Sequence, residues 1–216
     1  MNDMPAADRA LVLSYLGLRK AIGIIGLALP FVLVIGKSLL DSPGILSSIS
    51  AYYYSAMGDV LVGSLCAIGV FLLSYRGYAR KDDRAGDLAC VFAIGVALFP
   101  TRPALHPSSQ QVLAGHVHYG CALAFFLTLA YFCLVLFCKT DARKPMTRRK
   151  RHRNVLYRVC GYTILICVGL LGLYAGFFQH TPLARLDPVF WLETIAILAF
   201  GLSWLTKGEA ILRDEV

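Results

Sequence analysis

The chain is short of charge and of every common catalytic signature. Charged residues make up 16% of its 216 positions, against about 25% in soluble domains. Acidic residues are the scarcer kind, with 13 Asp and Glu against 21 Lys and Arg and a net charge of +8. None of the seven cysteines forms a Cys-x-x-Cys pair, which removes zinc ribbons and thioredoxin-like redox sites. Gly-x-Ser-x-Gly, the phosphate-cradling Gly-x-x-x-x-Gly-Lys-Ser/Thr and His-Glu-x-x-His are all missing, so no standard nucleophile elbow, nucleotide loop or helical zinc motif is present. Low-complexity stretches and internal repeats are missing too. No segment alternates apolar with polar residues, which excludes a transmembrane β-barrel.

What the chain has in excess is apolar surface. Hydrophobic residues reach 57% and the mean hydropathy is +0.64. Such a composition excludes intrinsic disorder. A water-soluble domain of this size would leave too much of that surface exposed, so lipid is the expected solvent. Six runs approach the ~20 apolar residues that a membrane helix needs: 21–40, 57–75, 86–101, 115–138, 155–178 and 188–205. The third is the shortest and stops at Pro100 and Pro103, where proline ends a helix. The first has a polar lead and no small-residue cleavage site, so it reads as a retained span rather than a signal peptide. The expectation is an all-α, polytopic six-helix bundle forming one transmembrane domain over 1–216.

Orientation follows from the basic residues, which favour the cytoplasmic side of short loops. Only Lys37, Arg102 and Arg185 fall on one side, and the remaining 18 of 21 fall on the other. The rule then places both termini in the cytoplasm, and for a bacterial chain the membrane is the inner one. The connection from Lys139 to Asn154 carries the densest charge, Arg148–Arg153. Its expected role is a topological anchor that also meets anionic headgroups, at about 1 kcal/mol per cation. Nucleic acid is not an expected partner, because no aromatic stacking platform accompanies the charge.

Small residues are expected at helix interfaces, since spans associate in lipid by close packing. Gly23 and Gly26 mark the first span, Gly63 and Gly69 the second, and Gly169, Gly172 and Gly176 the fifth. A single bundle accounts for them; Gly172-x-x-x-Gly176 is also a candidate homodimer face. The cysteines lie in or beside spans and are expected to pack as small apolar residues. Asp187 followed by Pro188 reads as cap and first position of the sixth helix.

The polar residues that need explaining lie opposite the basic face. Asp59, Arg102, His116, His118, His180 and Glu193 come from different helices or their ends. Glu193 is about 9 Å inside the sixth span, at ~1.5 Å per residue. An ionisable group there needs a partner and is a functional candidate by default. The expected partner is a polar side chain of another span: His118, His116 or Arg102. Ligand-binding candidates are therefore Asp59, Arg102, His118 and Glu193, with Tyr53 of the Tyr52-Tyr53-Tyr54 run at the rim, where tyrosines also form a membrane-interface belt. His116, His118 and His180 with a carboxylate are candidate metal ligands, three protein ligands and an open position suiting catalytic zinc. Positions i and i+2 of a helix point apart, so His116 and His118 share an ion only if the backbone is still extended there. No cofactor is implied. Ser47, Ser48, Ser50 and Ser55 lie in the loop before the second span.

The stretch from Ser47 through Tyr52-Tyr53-Tyr54 to Gly63, with its Tyr75-Arg76-Gly77-Tyr78 exit, the Phe99-Pro100 break and the Val117-His118-Tyr119-Gly120 opening resembles a bacterial six-span membrane protein family of unknown function. More distantly it resembles the DRAM-like superfamily, which includes factors for GPI-lipid remodelling and autophagy. The resemblance covers about residues 45–138. It implies a six-span fold and membrane residence, implies no common enzyme activity, and points to His118 rather than His116. Three functions are open at this level: binding or sensing of a lipid or other amphipathic ligand on the outer-leaflet side, metal-dependent hydrolysis inside the membrane, and a channel or transporter subunit. The last is disfavoured by the apolar inner halves of the spans.

Overall fold

The computed structural model describes residues 6–75, 80–103, 105–140 and 147–212. Arg76, Tyr78, Arg143, Lys144 and Arg213 of the sequence reading lie outside the described residues. The described chain is all-helical, with α1 Ala6–Leu40, α2 Gly58–Leu73, α3 Arg80–Leu98, α4 Ser109–Tyr131, α5 Arg148–Leu173 and α6 Pro188–Lys207. Among the described residues four helical stretches are long and apolar enough to cross a membrane: Ser14–Leu40, Ser109–Leu136, Arg148–Phe178 and Pro188–Lys207. The protein is accordingly an integral membrane protein. Gly58–Leu73 is a shorter apolar helix. α3 opens on Arg-Lys-Asp-Asp-Arg, and that charged turn lowers its average hydropathy.

Large apolar side chains stay uncovered along these helices: Phe31 is 57% exposed, Ile166 61% and Phe177 75%. Water would penalise each by a few kcal/mol; lipid does not.

Helix starts explain several departures from the apolar runs. α4 begins six residues before its run, because Ser108 and Gln111 form a capping box: the Gln111 N–H donates to Ser108 Oγ at 3.3 Å and the Ser108 N–H to Gln111 Oε1 at 2.9 Å. α5 begins at Arg148, capped by Thr147, whose Oγ1 accepts from Lys150 N at 3.1 Å. Arg148–Arg153 are thus the first turns of a helix rather than a loop, and Arg153 is buried with its Nε 3.4 Å from the Tyr157 hydroxyl. Asp187 does not cap α6 with its side chain. It adopts a left-handed conformation, φ 46° and ψ 52°, which Asp tolerates better than most residues. The first turn of α6 finds its acceptor elsewhere, since Phe190 N–H donates to Ser47 O at 3.1 Å. α4 runs on past Tyr131 through a wider turn, closed by Phe137 N to Phe132 O at 2.8 Å.

The core is aromatic at the end holding the first turns of α5. Trp204 has ring centroids of Phe137 at 5.2 Å, Phe132 at 5.6 Å and Tyr75 at 5.8 Å; each edge-to-face pair adds about 0.5–1.5 kcal/mol beyond burial. Asp82, almost fully buried, pairs with Lys139 beside it. A second cluster at the other end holds Leu33, Tyr52, Met57 and Phe190.

Glycine sets how closely α1 and α6 cross. A Cβ on Gly23 would lie 2.7 Å from the Leu205 backbone nitrogen, and one on Gly201 would lie 2.8 Å from that of Leu27. Side chains cannot enter there without moving a helix. Gly169, Gly172 and Gly176 differ from expectation: nothing lies within 4 Å of a Cβ at any of them, so packing within one chain does not account for the fifth-span glycines. Gly161 is the glycine by which α5 approaches α4, against Leu134 and Cys133.

Candidate functional site

The loop between α1 and α2 turns part of itself inward: Ile49 and Tyr52 are buried, while Asp41–Gly44 stay exposed. A buried loop must satisfy its backbone polar groups, and this one does so on α6. Ser47 O accepts from Phe190 N–H, and Glu193 Oε2 accepts from the N–H of Ile49 at 2.7 Å and of Ser50 at 3.4 Å. Glu193 therefore binds backbone. Its expected side-chain partners, His118, His116 and Arg102, are not the groups it meets. The clamp fixes the start of a short 3₁₀ turn, Ser50–Tyr54.

On the other side of that turn stands His118 of α4, 4% exposed. Its Nδ1 lies 2.7 Å from Phe99 O and its Nε2 lies 3.0 Å from Ser50 Oγ. A carbonyl only accepts, so Nδ1 carries the proton and donates to Phe99. In the neutral ring Nε2 then holds a lone pair and accepts from the Ser50 hydroxyl. A hydroxyl, an imidazole and an orienting carbonyl stand in line, drawn from three separate parts of the chain. Sequence reasoning left Ser50 among four loop serines. The signal that selects it is tertiary: 68 residues separate it from His118.

Two tyrosines lock the turn. Tyr54 donates its hydroxyl to Thr101 O at 2.7 Å, and Thr101 Oγ1 lies 3.0 Å from the Tyr119 hydroxyl. Burial, reinforced by the neighbouring Tyr53 and Tyr119 hydroxyls, pushes the Tyr54 phenol above its ordinary pKa, which keeps the donating proton in place. Tyr52 is fully buried, with its ring centroid 6.4 Å from that of Phe190. Burial raises its phenol as well, against the opposing effect of the Leu46 N–H. Tyr52 is thus core rather than interface belt.

Ser50 opens onto a groove of about 1240 Å³ between this loop, α4, α5 and the start of α6. Glu193, Arg102, His116 and Tyr54 share its wall, with Leu123, Phe126, Val168 and Leu171 as its apolar side. A small cavity of about 50 Å³ beneath it is also bounded by Ser50, Glu193 and Phe126. The space is large by the measure of small-molecule sites. Arg102 is exposed, and its backbone packs 3.1 Å from where a Cβ on Gly115 would sit.

The other candidates are placed apart. Asp59 is exposed in the first turn of α2 and is not part of the groove wall. Tyr53 packs on the second hydrophobic cluster and stacks edge-on against Tyr54 at 5.2 Å. His180 is exposed beyond α5. His116 and His118 both lie inside α4, His116 exposed and His118 buried, because the capping box at Ser108 makes the backbone helical before either is reached. Among the described residues no group of three His, Cys, Asp or Glu side chains comes together, so His116, His118 and His180 do not form the three-ligand set envisaged for a metal. All seven cysteines are free thiols.

The fold and the site together define a class: an all-helical integral membrane protein in which Ser50, hydrogen-bonded to the buried His118, borders a groove. Comparison with protein-family models, with curated proteins and with solved structures finds no match.

Proposed function

We propose that the protein binds an amphipathic ligand, a lipid or a molecule of lipid-like build, in the groove beside Ser50. The groove's composition carries this reading: its wall combines the polar Arg102, His116, Glu193 and Ser50 with the apolar Leu123, Phe126, Val168 and Leu171. The polar groups suit a headgroup and the apolar ones an acyl chain, in the manner of sites that combine an apolar lining with a few placed polar groups. Six spans with both termini cytoplasmic in a bacterial inner membrane complete the proposal. At ~1.5 Å per residue, α2 covers roughly 24 Å and α3 beyond its charged opening turn roughly 21 Å, short of the ~30 Å core, so they cross it by borrowing flanking residues. They do so as a tightly packed pair, Gly86 sitting where a Cβ would lie 2.7 Å from Leu72 O. The positive-inside bias then puts the groove toward the outer leaflet and the first turns of α5 at the anionic headgroups of the inner one. A second copy of the chain seated on the open Gly172 and Gly176 face would also wall the groove, since Gly172 lines it, and the DRAM-like resemblance remains part of this proposal.

The test is retention of amphiphile. Purified protein in mild detergent is expected to carry about one tightly held amphiphile per chain by native mass spectrometry. Ala122→Trp fills the groove at a position bordering both cavities and is expected to abolish retention. Val159→Trp, on an exposed part of α5 away from the groove, is expected to leave it intact. Equal retention by both variants would overturn the groove reading.

A further inference from the structure

We propose that Ser50 is a nucleophile and His118 its general base, and that the pair hydrolyses a carboxylic ester carried by an amphiphilic substrate. The inference rests on the groove reading, and it assigns that site a reaction.

Four observations lead there. Ser50 Oγ is 3.0 Å from His118 Nε2, within the reach a general base needs. Phe99 O at 2.7 Å from Nδ1 holds the ring in the tautomer whose Nε2 can take a proton, the orienting role that a third group plays in such arrangements. His118 is buried, yet Ser50 borders the groove and is partly exposed, so the base is shielded while the serine adjoins the space a substrate would fill. Glu193 accepts the Ile49 N–H at 2.7 Å and, more weakly, the Ser50 N–H at 3.4 Å, which makes it a positioning residue: it fixes the backbone from which Oγ projects. A strap holding the loop to α4 would need only the hydrogen bond. It would not need the serine to border a groove of about 1240 Å³.

The chemistry balances with water as the only co-reactant. Ser50 Oγ attacks the ester carbonyl carbon as its proton passes to His118 Nε2. The tetrahedral intermediate collapses with cleavage of the bond to the alkoxy oxygen, which leaves as the alcohol with the proton from Nε2. Water then attacks the acyl-Ser50 carbonyl, giving a proton to His118. Cleavage of the acyl–Oγ bond releases the carboxylic acid, and the proton on Nε2 returns to Ser50. The Ser50 N–H is turned toward Glu193, so the transient negative oxygen is met from the groove, whose wall carries Arg102 as a cation. An ester is favoured over a phosphodiester, whose several anionic oxygens would be brought against the Glu193 carboxyl group.

The test uses the full chain in detergent and two probes, a decyl fluorophosphonate and p-nitrophenyl decanoate. One covalent adduct per chain is expected, located by peptide mass spectrometry on Ser50, together with turnover of the ester. Ser50→Ala is expected to lose both while keeping the helical circular dichroism, because His118 still binds Phe99. His118→Gln is expected to slow labelling by about 10²-fold or more; if that variant also unfolds, Ser50→Ala decides. Folded native protein without an adduct on Ser50, labelling of another serine in its place, or unchanged turnover in Ser50→Ala would overturn the proposal. Amphiphile retained without labelling defeats the nucleophile and leaves the groove standing. Labelling of Ser50 with ester turnover but no retained amphiphile does the reverse.

Discussion

Replacing Glu193 by alanine isolates what holds the inserted loop. The substitution strips the acceptor from Ile49 N–H, bonded at 2.7 Å, and from Ser50 N–H, bonded at 3.4 Å. The first is short and well formed; the second is near the limit of a hydrogen bond and adds little. Water has poor access to the Ile49 N–H, since Ile49 is 4% exposed. An orphaned buried donor costs about 1–3 kcal/mol, so Glu193→Ala is expected to destabilise the fold by about 2 kcal/mol. Glu193→Gln keeps an amide oxygen on a side chain of the same length and is expected to cost less than half as much. Reversible unfolding in mixed micelles of mild detergent and dodecyl sulfate measures both. Stability of Glu193→Ala within about 0.3 kcal/mol of the native protein would refute the clamp, as would a larger loss for glutamine than for alanine; the scale of these differences is that of single hydrogen bonds.

Two further outcomes test the packing and the orientation. Gly201→Ala places a methyl 2.8 Å from the Leu27 backbone nitrogen and is expected to cost about 1–3 kcal/mol by overpacking, whereas Gly169→Ala meets nothing within 4 Å and is expected to be neutral or to stabilise by about 0.5–1 kcal/mol through helix propensity; the same micelle titration ranks them, and equal effects would contradict the close α1–α6 crossing. Reporter fusions at Arg149 and His106 are expected to score on opposite sides of the membrane, with Arg149 cytoplasmic, and a common side for both would contradict the six-span topology.

The parts of the molecule that were readable in the sequence are those where one residue's neighbours along the chain decide its fate. Apolar runs produced the helices because lipid tolerates their exposed leucines, isoleucines and phenylalanines on any face. Glu193 stands out by the cost of a polar group in a span and His118 by the family resemblance, and both are held in the structure by specific hydrogen bonds. The start of α4 was missed although its signal was printed in the chain: Ser108-x-x-Gln111 is a capping box, and hydropathy alone is blind to caps. That omission left the His116 and His118 pair open as metal ligands, when a helix beginning at Ser109 already turns them apart. Asp187 and Pro188 take the cap and first positions of α6 as the sequence indicates, but Asp187 does so with a left-handed backbone and no side-chain bond to the helix. The Glu193 partner and the Ser50–His118 contact were out of reach for a different reason. Both depend on the 41–57 loop folding back between α4 and α6, with 144 residues between Ile49 and Glu193, and no local pattern encodes that juxtaposition.

The central claim is that the space bounded by Ser50, Glu193 and α5 is a ligand groove. It is tested most directly by a cryo-electron-microscopy map of the chain in lipid nanodiscs, bound to an antibody fragment for size. The account expects an elongated density lying along Leu123, Phe126, Val168 and Leu171, with its broader polar end within hydrogen-bond distance of Ser50 or Arg102. A map in which α4 and α5 close over that space, leaving no density and no opening at Ser50, would contradict it.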